Sequence, residues 1–529
     1  MQPSGGCAAA PPVTSGNLRF DRLRDGIGTD SNAPGQVATL RHMSLFRTKS
    51  IESLAGTTHT GGLKRVLGPF NLVSLGIGAI IGTGIFVLTG QAAAMHAGPA
   101  IVISMVLAAV VSALAGLCYA EFASTVPIAG SAYTYSYATL GEFVAWVIGW
   151  DLVLEYALGA ATVAVGWSGY FVRVLADLGI HFPAIVSAAP GTVLAGADGS
   201  TVTAIFNLPA VVIAILVTTL LVRGVQESAR VNGVMVVVKV AVVLLVIAAG
   251  ISFVDGSRFT PLVPPNTGTF GEFGWSGVMR GAAVIFFAYI GFDAVSTAAQ
   301  EARDPRRDMP IGILGSLVVC TVLYIAVAIV MVGLVPYAEL GGPAPIAVTI
   351  DYARAAARGS ALEGLLGLMP LLVKIGILAG LTSTMVVQMM AQPRIFMAMS
   401  NDGLLPPWMG KVHPRFGTPH LTTIATGVAV SLAAGLTPIG VLGHMVSIGT
   451  LFAFVVVSAG VLVLRKTHPD LPRPFTVPWS PLVPALSALV SLALMLSLPG
   501  ETWTRLVVWM AIGVAIYFGY GYRRSKLGP

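Results

Sequence analysis

The sequence predicts an all-α integral membrane protein with twelve transmembrane helices. The 529-residue chain is 55% hydrophobic and only 10% charged, whereas about a quarter of the residues in a soluble domain are charged. Its mean hydropathy is +0.83. Twelve apolar segments each approach the roughly 20 residues that a helix needs to span a bilayer, and basic residues are concentrated in alternate loops.

Residues 1–60 are rich in Gly, Ser, Thr, Ala and Arg and lack a long apolar run, so we predict a disordered cytoplasmic tail. No secretory signal pattern follows the basic residues, and Met43 offers a second plausible translation start. A twelve-helix domain is predicted over 61–525. Its spans are placed at 70–90, 99–126, 142–172, 203–223, 229–253, 276–299, 311–335, 364–397, 420–436, 440–464, 479–498 and 502–522.

The distribution of lysine and arginine predicts the orientation, because cytoplasmic loops carry the excess of basic residues. With the N-terminus inside, most of the 30 basic residues fall on the cytoplasmic side. The opposite side keeps only Arg173, Arg258, Arg280, Arg354, Arg358 and Arg505. Both termini are therefore predicted to be cytoplasmic, and the positive net charge needs no nucleic-acid partner.

The first predicted span is unusually rich in glycine, with Gly82-Thr83-Gly84 near its middle. Glycine costs a helix about 1 kcal/mol relative to alanine, so the helix is weak at this point. One interpretation is packing, since Gly78 and Gly82 form a G-x-x-x-G pair that lets helices approach closely. The other is a break at membrane depth, where freed backbone groups can hold a solute.

The sixth predicted span also combines a glycine with polar chemistry, in the run Phe287 to Asp293. An intramembrane carboxylate costs several kcal/mol unless it is paired or hydrated, so Asp293 marks a candidate site. Because Asp293 lies near the cytoplasmic end of the span, a capping or snorkelling role is the alternative. Gly291 is the candidate break.

These two weak points occupy matching positions if the first ten spans form two five-helix repeats of inverted topology. The repeats would cover about 70–253 and 276–464, with two extra helices over 479–522. Interrupted helices at corresponding places in two halves are the best sequence indication of a transporter's binding site. The match therefore favours a break over packing alone, with discontinuous helices 1 and 6.

Other ionisable side chains are predicted within the membrane. Lys239 lies about ten residues into the fifth span, or ~15 Å along a helix, where desolvation makes its charge costly and lets it exchange a proton. Asp151 and Glu155 share one face of the third span; Glu155 either neutralises Lys239 or faces a cavity. Thr384 belongs to a hydroxyl run that either bonds its own helix or ligates sodium. Lys374 is expected to snorkel.

Three tyrosines at positions 133, 135 and 137 follow the second span. They indicate either an aromatic anchor at the membrane interface or a re-entrant, gating element, and the sequence favours neither.

Several long motifs together resemble a known family. They are GIGAIIGTGIF, YAEFASTVPIAGSAYTY, FFAYIGFD followed by EARDPRRDMP, and AQPRIFMAMSNDGLLP. With Lys239, they resemble the amino acid–polyamine–organocation superfamily and, within it, the bacterial branch of the cationic amino acid transporters. The resemblance runs from about Lys64 to Arg524.

The resemblance implies where a substrate would bind. Its α-carboxylate would be held by backbone N–H groups in Gly82-Thr83-Gly84, and helix N-termini do suit anions. Its α-ammonium would be held by backbone carbonyls, here those of Ile80, Phe287, Ala288 and Ile290.

The resemblance also implies that Lys239 couples transport to protons, and that Glu155 and Asp293 line the side-chain end of the pocket. The expected activity is proton-coupled symport of amino acids, cationic or broad in range, by alternating access across the plasma (inner) membrane. Alternatives are a neutral amino acid or polyamine carrier or exchanger, and a non-transporting amino acid sensor.

The sequence does not favour an enzyme, since no nucleophile–base pair or metal-ligand cluster is apparent. Cys7, Cys118 and Cys320 are scattered, and no H-E-x-x-H motif occurs. We expect no cofactor and no metal. The expected partners are an amino acid, a proton and the lipid bilayer; a monomer is favoured, and a small single-span partner protein is left open.

Overall fold

The computed structural model describes residues 45, 47–49, 67–126, 131–195, 201–224, 229–359 and 363–527. All of them belong to one compact unit that covers 45–529. The predicted disordered tail and the alternative start at Met43 fall almost entirely outside the described residues.

Apolar α-helices make up most of the described chain. In its first half they are α1 (Pro69–Ile80), α2 (84–97), α3 (Ile101–Thr125), α4 (Ser131–Thr139), α5 (Glu142–Asp177), α6 (Leu208–Val222) and α7 (Ala229–Gly250). In its second half they are α8 (Gly274–Ile285), α9 (Phe292–Thr297), α10 (Pro305–Leu334), α11 (Pro345–Ala356), α12 (Glu363–Asn401), α13 (His420–Leu436), α14 (Ile439–Thr467), α15 (Leu482–Ser497) and α16 (Gly500–Ile516). Two short antiparallel strands, β1 (Val193–Ala195) and β2 (Thr201–Thr203), form a hairpin between α5 and α6.

Every predicted span coincides with helix in the structure. By length and composition, eight helical stretches among the described residues are long and apolar enough to cross a membrane, and four apolar helices, α1, α6, α13 and α15, are shorter. The chain is therefore a multi-pass membrane protein. The longest helices, α5 and α12, pack side by side. They run antiparallel, since Gly149 lies against Met399 and Gly159 against Gln388.

The first glycine-rich span is interrupted where the sequence predicts. Helix α1 begins with Pro69, whose missing N–H costs nothing at a helix start, and it ends at Ile80. Ile81 is extended (φ −69°, ψ 104°). Helical structure resumes at Gly84 with a π-helical turn. The non-helical residues Ile81 and Gly82 are buried, as is Thr83, which already has helical backbone angles (φ −58°, ψ −27°).

The sixth predicted span is interrupted as well. Helix α8 tightens into a 3₁₀ turn over Phe286–Tyr289, and Ile290 is extended (ψ 138°). Gly291 then adopts φ +119°, a left-handed conformation that favours glycine, and α9 begins at Phe292.

Two glycines let the interrupted helices touch backbone to backbone. A Cβ at Gly84 would lie 2.2 Å from the Cα of Ala288, and a Cβ at Gly291 would lie 2.7 Å from the carbonyl carbon of Ala79. Both distances are too short for any real Cβ contact. The two breaks therefore lie against each other: Gly84 contacts the second interrupted helix at Ala288, and Gly291 contacts the first at Ala79.

The three tyrosines of α4 are buried in protein. Tyr133, Tyr135 and Tyr137 are all almost fully inaccessible. The Tyr133 hydroxyl donates to Asp402 Oδ2 (2.6 Å) and the Tyr137 hydroxyl to Glu142 Oε2 (3.0 Å). They do not face lipid, so the aromatic-anchor alternative is wrong, while the gating alternative stays a prediction.

We expect Gly291→Ala to destabilise the protein, because a left-handed backbone costs a non-glycine residue about 1–3 kcal/mol and the new Cβ meets the Ala79 backbone. The melting temperature of purified protein should fall by several degrees. Gly342→Ala is the matched control, since Gly342 is extended (φ −73°) and a Cβ there meets nothing within 4 Å. Equal melting temperatures for the two variants would contradict this account.

Candidate functional site

Lys239 of α7 lies beside the first break. Its side chain is fully buried, and its Nζ donates to the carbonyl oxygen of Gly78 (2.6 Å) and to Thr384 Oγ1 (2.8 Å). In an unbroken helix the Gly78 carbonyl would accept the N–H of Gly82. The break thus frees a carbonyl that the lysine uses.

Thr384 of α12 joins the lysine to the unwound segment. Its hydroxyl lies 3.1 Å from the carbonyl oxygen of Ile81 and 3.2 Å from that of Gly380 in its own helix. The expected bond to its own helix is therefore present, the hydroxyl also contacts Lys239 and the break, and sodium ligation stays a prediction. Gly380 makes room for the lysine, since a Cβ there would lie 3.0 Å from Lys239 Cγ.

The carbonyl of Ile80, predicted to bind a substrate ammonium, is already engaged. It accepts the hydroxyl of Tyr324 from α10 at 2.9 Å. A carbonyl oxygen has two lone pairs, so this bond occupies half of its capacity. Tyr324 was not identified from the sequence. Its only signal there is a phenol hydroxyl in an otherwise apolar span, and a buried hydroxyl needs a partner.

The N-terminal end of α2 presents polar groups without protein partners. Among the described residues, none of the hydrogen bonds is donated by the backbone N–H of Gly82, Thr83 or Gly84. The Thr83 hydroxyl is also buried without a partner there. Such N–H groups at a helix start, together with the helix dipole, form a site for an anion.

The second break presents carbonyl groups. Phe287 accepts the N–H of Ile290 at 3.2 Å. In contrast, none of the hydrogen bonds found within the described ranges reaches the carbonyl of Ala288. Because Gly84 packs directly on Ala288, donors at the first break and acceptors at the second lie close together.

Asp293 is buried at the start of α9. Its carboxylate accepts the backbone N–H of Gly291 (3.2 Å) and the hydroxyl of Tyr156 (3.3 Å). Asp293 thus bonds an N–H at the helix start, as a capping role would require, and its role in binding stays a prediction. Tyr156, which follows Glu155 in α5, was missed by sequence reasoning.

Asp151 and Glu155 of α5 are buried carboxylates whose oxygens have no hydrogen-bond partner in the described part of the chain. Glu155 lies close enough to Asp293 and Asp151 for their charges to interact. The nearby Thr450 hydroxyl donates to its own helix instead (3.0 Å). None of the salt bridges found between described residues joins Glu155 to Lys239, and the neutralisation alternative stays a prediction.

Lys374 behaves differently from the snorkelling expectation. Its ammonium group is buried and lies 2.8 Å from Asp177 and 3.4 Å from Asp351. It ties the ends of α5 and α11 to α12, which is a structural role.

Apolar helices around two mutually contacting helix breaks, with buried ionisable groups beside them, define a membrane permease. Residues 67–517 match the amino acid permease family. The chain therefore belongs to this family, within the amino acid–polyamine–organocation superfamily, and the predicted resemblance is confirmed. Its known relatives are transporters, as expected for a chain that is not an enzyme.

Three relatives illustrate the range of the family. The chain is 47% identical to a branched-chain amino acid permease (BcaP) of Bacillus subtilis, covering 92% of this chain and 99% of the relative. It is 46% identical to a methylthioribose transporter of the same organism, with the same coverage. It is 38% identical to vacuolar cationic amino acid transporter 2 of Arabidopsis thaliana, over 81% of this chain and 64% of the relative.

We expect Thr384→Val to lower the melting temperature clearly, because hydrogen bonds to charged groups contribute about 1.5–3 kcal/mol and Lys239 loses its hydroxyl acceptor. Thr382→Val is the control, since the Thr382 hydroxyl bonds only its own helix at Leu378 (2.8 Å). Thermal unfolding of both purified variants is the measurement. A smaller shift for Thr384→Val than for Thr382→Val would oppose the assigned role.

Proposed function

We propose that the protein imports amino acids together with a proton by alternating access. In this proposal twelve helices cross the plasma membrane, with both termini in the cytoplasm. The first ten crossings form two inverted five-helix repeats and the last two are appended. Eight long apolar stretches, four shorter apolar helices and the segregation of basic residues support this topology.

The observation that carries the proposal is the contact between the two helix breaks. An α-amino acid is a zwitterion, so its receptor needs donors for a carboxylate beside acceptors for an ammonium. The N–H groups of Thr83 and Gly84, next to Gly82, would hold the carboxylate. The ammonium would be held by carbonyls at the break, those of Ile80, Phe287, Ala288 and Ile290.

Lys239 is the proposed proton carrier. Its Nζ donates to a carbonyl and a hydroxyl, and such neutral acceptors stabilise an ammonium less completely than a carboxylate would. Loss of a proton from Lys239 would weaken its bond to the Gly78 carbonyl of α1 and its bond to Thr384, whose hydroxyl contacts the break. Protonation would therefore be linked to the geometry of the residues that hold the substrate.

The substrate side chain would extend toward Glu155 and Asp293. We propose a broad range that includes aliphatic amino acids, and the two Bacillus relatives, named for branched-chain amino acids and methylthioribose, support it. A cationic substrate is the second candidate, because the Glu155 carboxylate lacks a hydrogen-bond partner among the described residues and would attract a positive charge.

Alternating access would move the interrupted helices as one group. Helix α10 packs on α1 and on α3, and α8 and α9 are joined to α1 and α2 through Gly84 and Gly291. We propose that α1–α3 and α8–α10 rock together against the remaining helices around the site.

We expect unlabelled L-leucine to compete with labelled substrate in proteoliposomes, whereas L-leucine amide competes at least tenfold less well. The amide lacks the carboxylate, and a hydrogen bond to a charged group contributes about 1.5–3 kcal/mol. The panel also contains valine, arginine, lysine, methylthioribose and a polyamine. Strong competition by arginine alone would favour the cationic candidate. Equal competition by L-leucine and L-leucine amide would contradict the proposed carboxylate site.

We expect Lys239→Ala to abolish amino acid uptake driven by a proton gradient. The control is Lys374→Ala, which removes another buried lysine, away from the breaks, and should leave proton-driven uptake measurable. Uptake into proteoliposomes with an imposed pH gradient is the measurement. Normal gradient-driven accumulation by Lys239→Ala would exclude its coupling role.

A further inference from the structure

A groove of about 630 Å³ lies at the N-terminal end of α10, away from the proposed substrate site. Arg306 and Arg307, in the first turn of α10, stand at one end of it. Its walls are apolar, formed by Pro310, Ile311, Leu314, Gly315, Pro474 and Phe475. The groove thus combines two guanidinium groups with an apolar channel.

Neither arginine forms an ion pair with an acid in the described part of the chain. Both are exposed. The nearest acid in sequence within α10, Asp308, is buried, and its carboxylate accepts the backbone N–H of Asp304 (3.2 Å). Its charge therefore caps the helix.

The apolar wall belongs to a helix that crosses the membrane. Ile311 is 41% exposed although it is followed by a long apolar sequence, so its outer side meets lipid chains. The arginines, one turn earlier, then lie at the level of lipid headgroups. Phosphate groups and the ends of acyl chains meet at this depth.

We propose that this groove binds an anionic phospholipid. The phosphodiester lies between Arg306 and Arg307, since guanidinium groups pair well with phosphate, and an acyl chain lies along Ile311, Leu314 and Phe475. Basic pockets at the ends of transmembrane helices are suited to anionic headgroups. The assignment to the cytoplasmic leaflet depends on the proposed orientation, but the binding itself does not.

The groove is positioned to affect the interrupted helix α1. Gly312, between two groove residues, packs on Leu72, where a Cβ would lie 2.7 Å from Leu72 Cβ. Gly315 likewise faces Val73. A bound lipid would therefore contact α10 next to its packing surface on α1, and we expect it to raise the melting temperature.

The test is lipid titration of the purified full chain in detergent, read by native mass spectrometry and by melting temperature. The probes are dioleoyl phosphatidylglycerol and dioleoyl phosphatidylcholine. Wild type should prefer phosphatidylglycerol. The double variant Arg306→Gln/Arg307→Gln should bind it roughly thirty-fold more weakly, because each basic residue near an anionic surface contributes about 1 kcal/mol. The control Arg354→Gln/Arg358→Gln removes two exposed arginines elsewhere and should bind like wild type.

Two further measurements complete the test. One distinguishes a lipid from free phosphate, and the other does not depend on the folding of the arginine variant. Glycerol phosphate should not raise the melting temperature of wild type, and Ile311→Trp should weaken lipid binding with both arginines present, because the acyl chain is required. In wild type alone, added salt should reduce the preference for phosphatidylglycerol. Equal binding of the two lipids by wild type, or an unchanged preference in the arginine variant, would overturn the proposal. Neither result depends on transport activity.

Discussion

The structure depends on one constraint, which is that backbone polar groups at membrane depth must find partners inside the protein. At the two helix breaks some backbone groups lose their partners within the helix. Side chains from neighbouring helices replace part of these lost hydrogen bonds. Lys239 and Thr384 satisfy carbonyls on one side of the first break, and Tyr324 satisfies another. The N–H groups at the start of α2 have no such partner among the described residues, which leaves them for a ligand. Side chains from three helices thus bond the carbonyl groups at the first break, whereas its N–H groups have no partner among the described residues.

The buried lysine and the buried carboxylates near the breaks lie on different helices and have different neighbours. Lys239 bonds a carbonyl and a hydroxyl, whereas Glu155 and Asp151 lie on another helix among groups that do not donate to them. A direct pair between Lys239 and Glu155 would be hard to separate in a low-dielectric interior, since breaking a buried pair costs 3–5 kcal/mol. Keeping the lysine on weaker acceptors leaves it able to change partners. This separation would suit the proposed symport, in which a proton and a solute are both bound and released.

Hydropathy was sufficient to predict the helices of the twelve apolar segments, because a lipid-facing helix must be apolar along its length, but it did not predict α11, which lies between two of these segments. The two breaks were also predictable, from glycines at matching positions of a presumed repeat. The partners of the break were not. Neither Tyr324 bonding Ile80 nor Tyr156 bonding Asp293 follows from spacing, because each joins residues far apart in the chain. For the same reason Lys374 was expected to snorkel, although Asp177 and Asp351 come from other helices.

The contacts around the breaks differ in kind, and this difference bears on how the proposed transporter would move. Gly84 on Ala288 and Gly291 on Ala79 are tight backbone contacts, so the interrupted helices cannot slide past each other without steric overlap. In contrast, α7 and α12 reach the first break through the side chains of Lys239 and Thr384, and hydrogen bonds of this type can be exchanged for bonds to water or substrate. The weaker boundary therefore runs between α1 and the pair α7 and α12. In the proposed mechanism Lys239 at that boundary would couple protonation to opening, since its charge would determine how strongly the two groups of helices are held together.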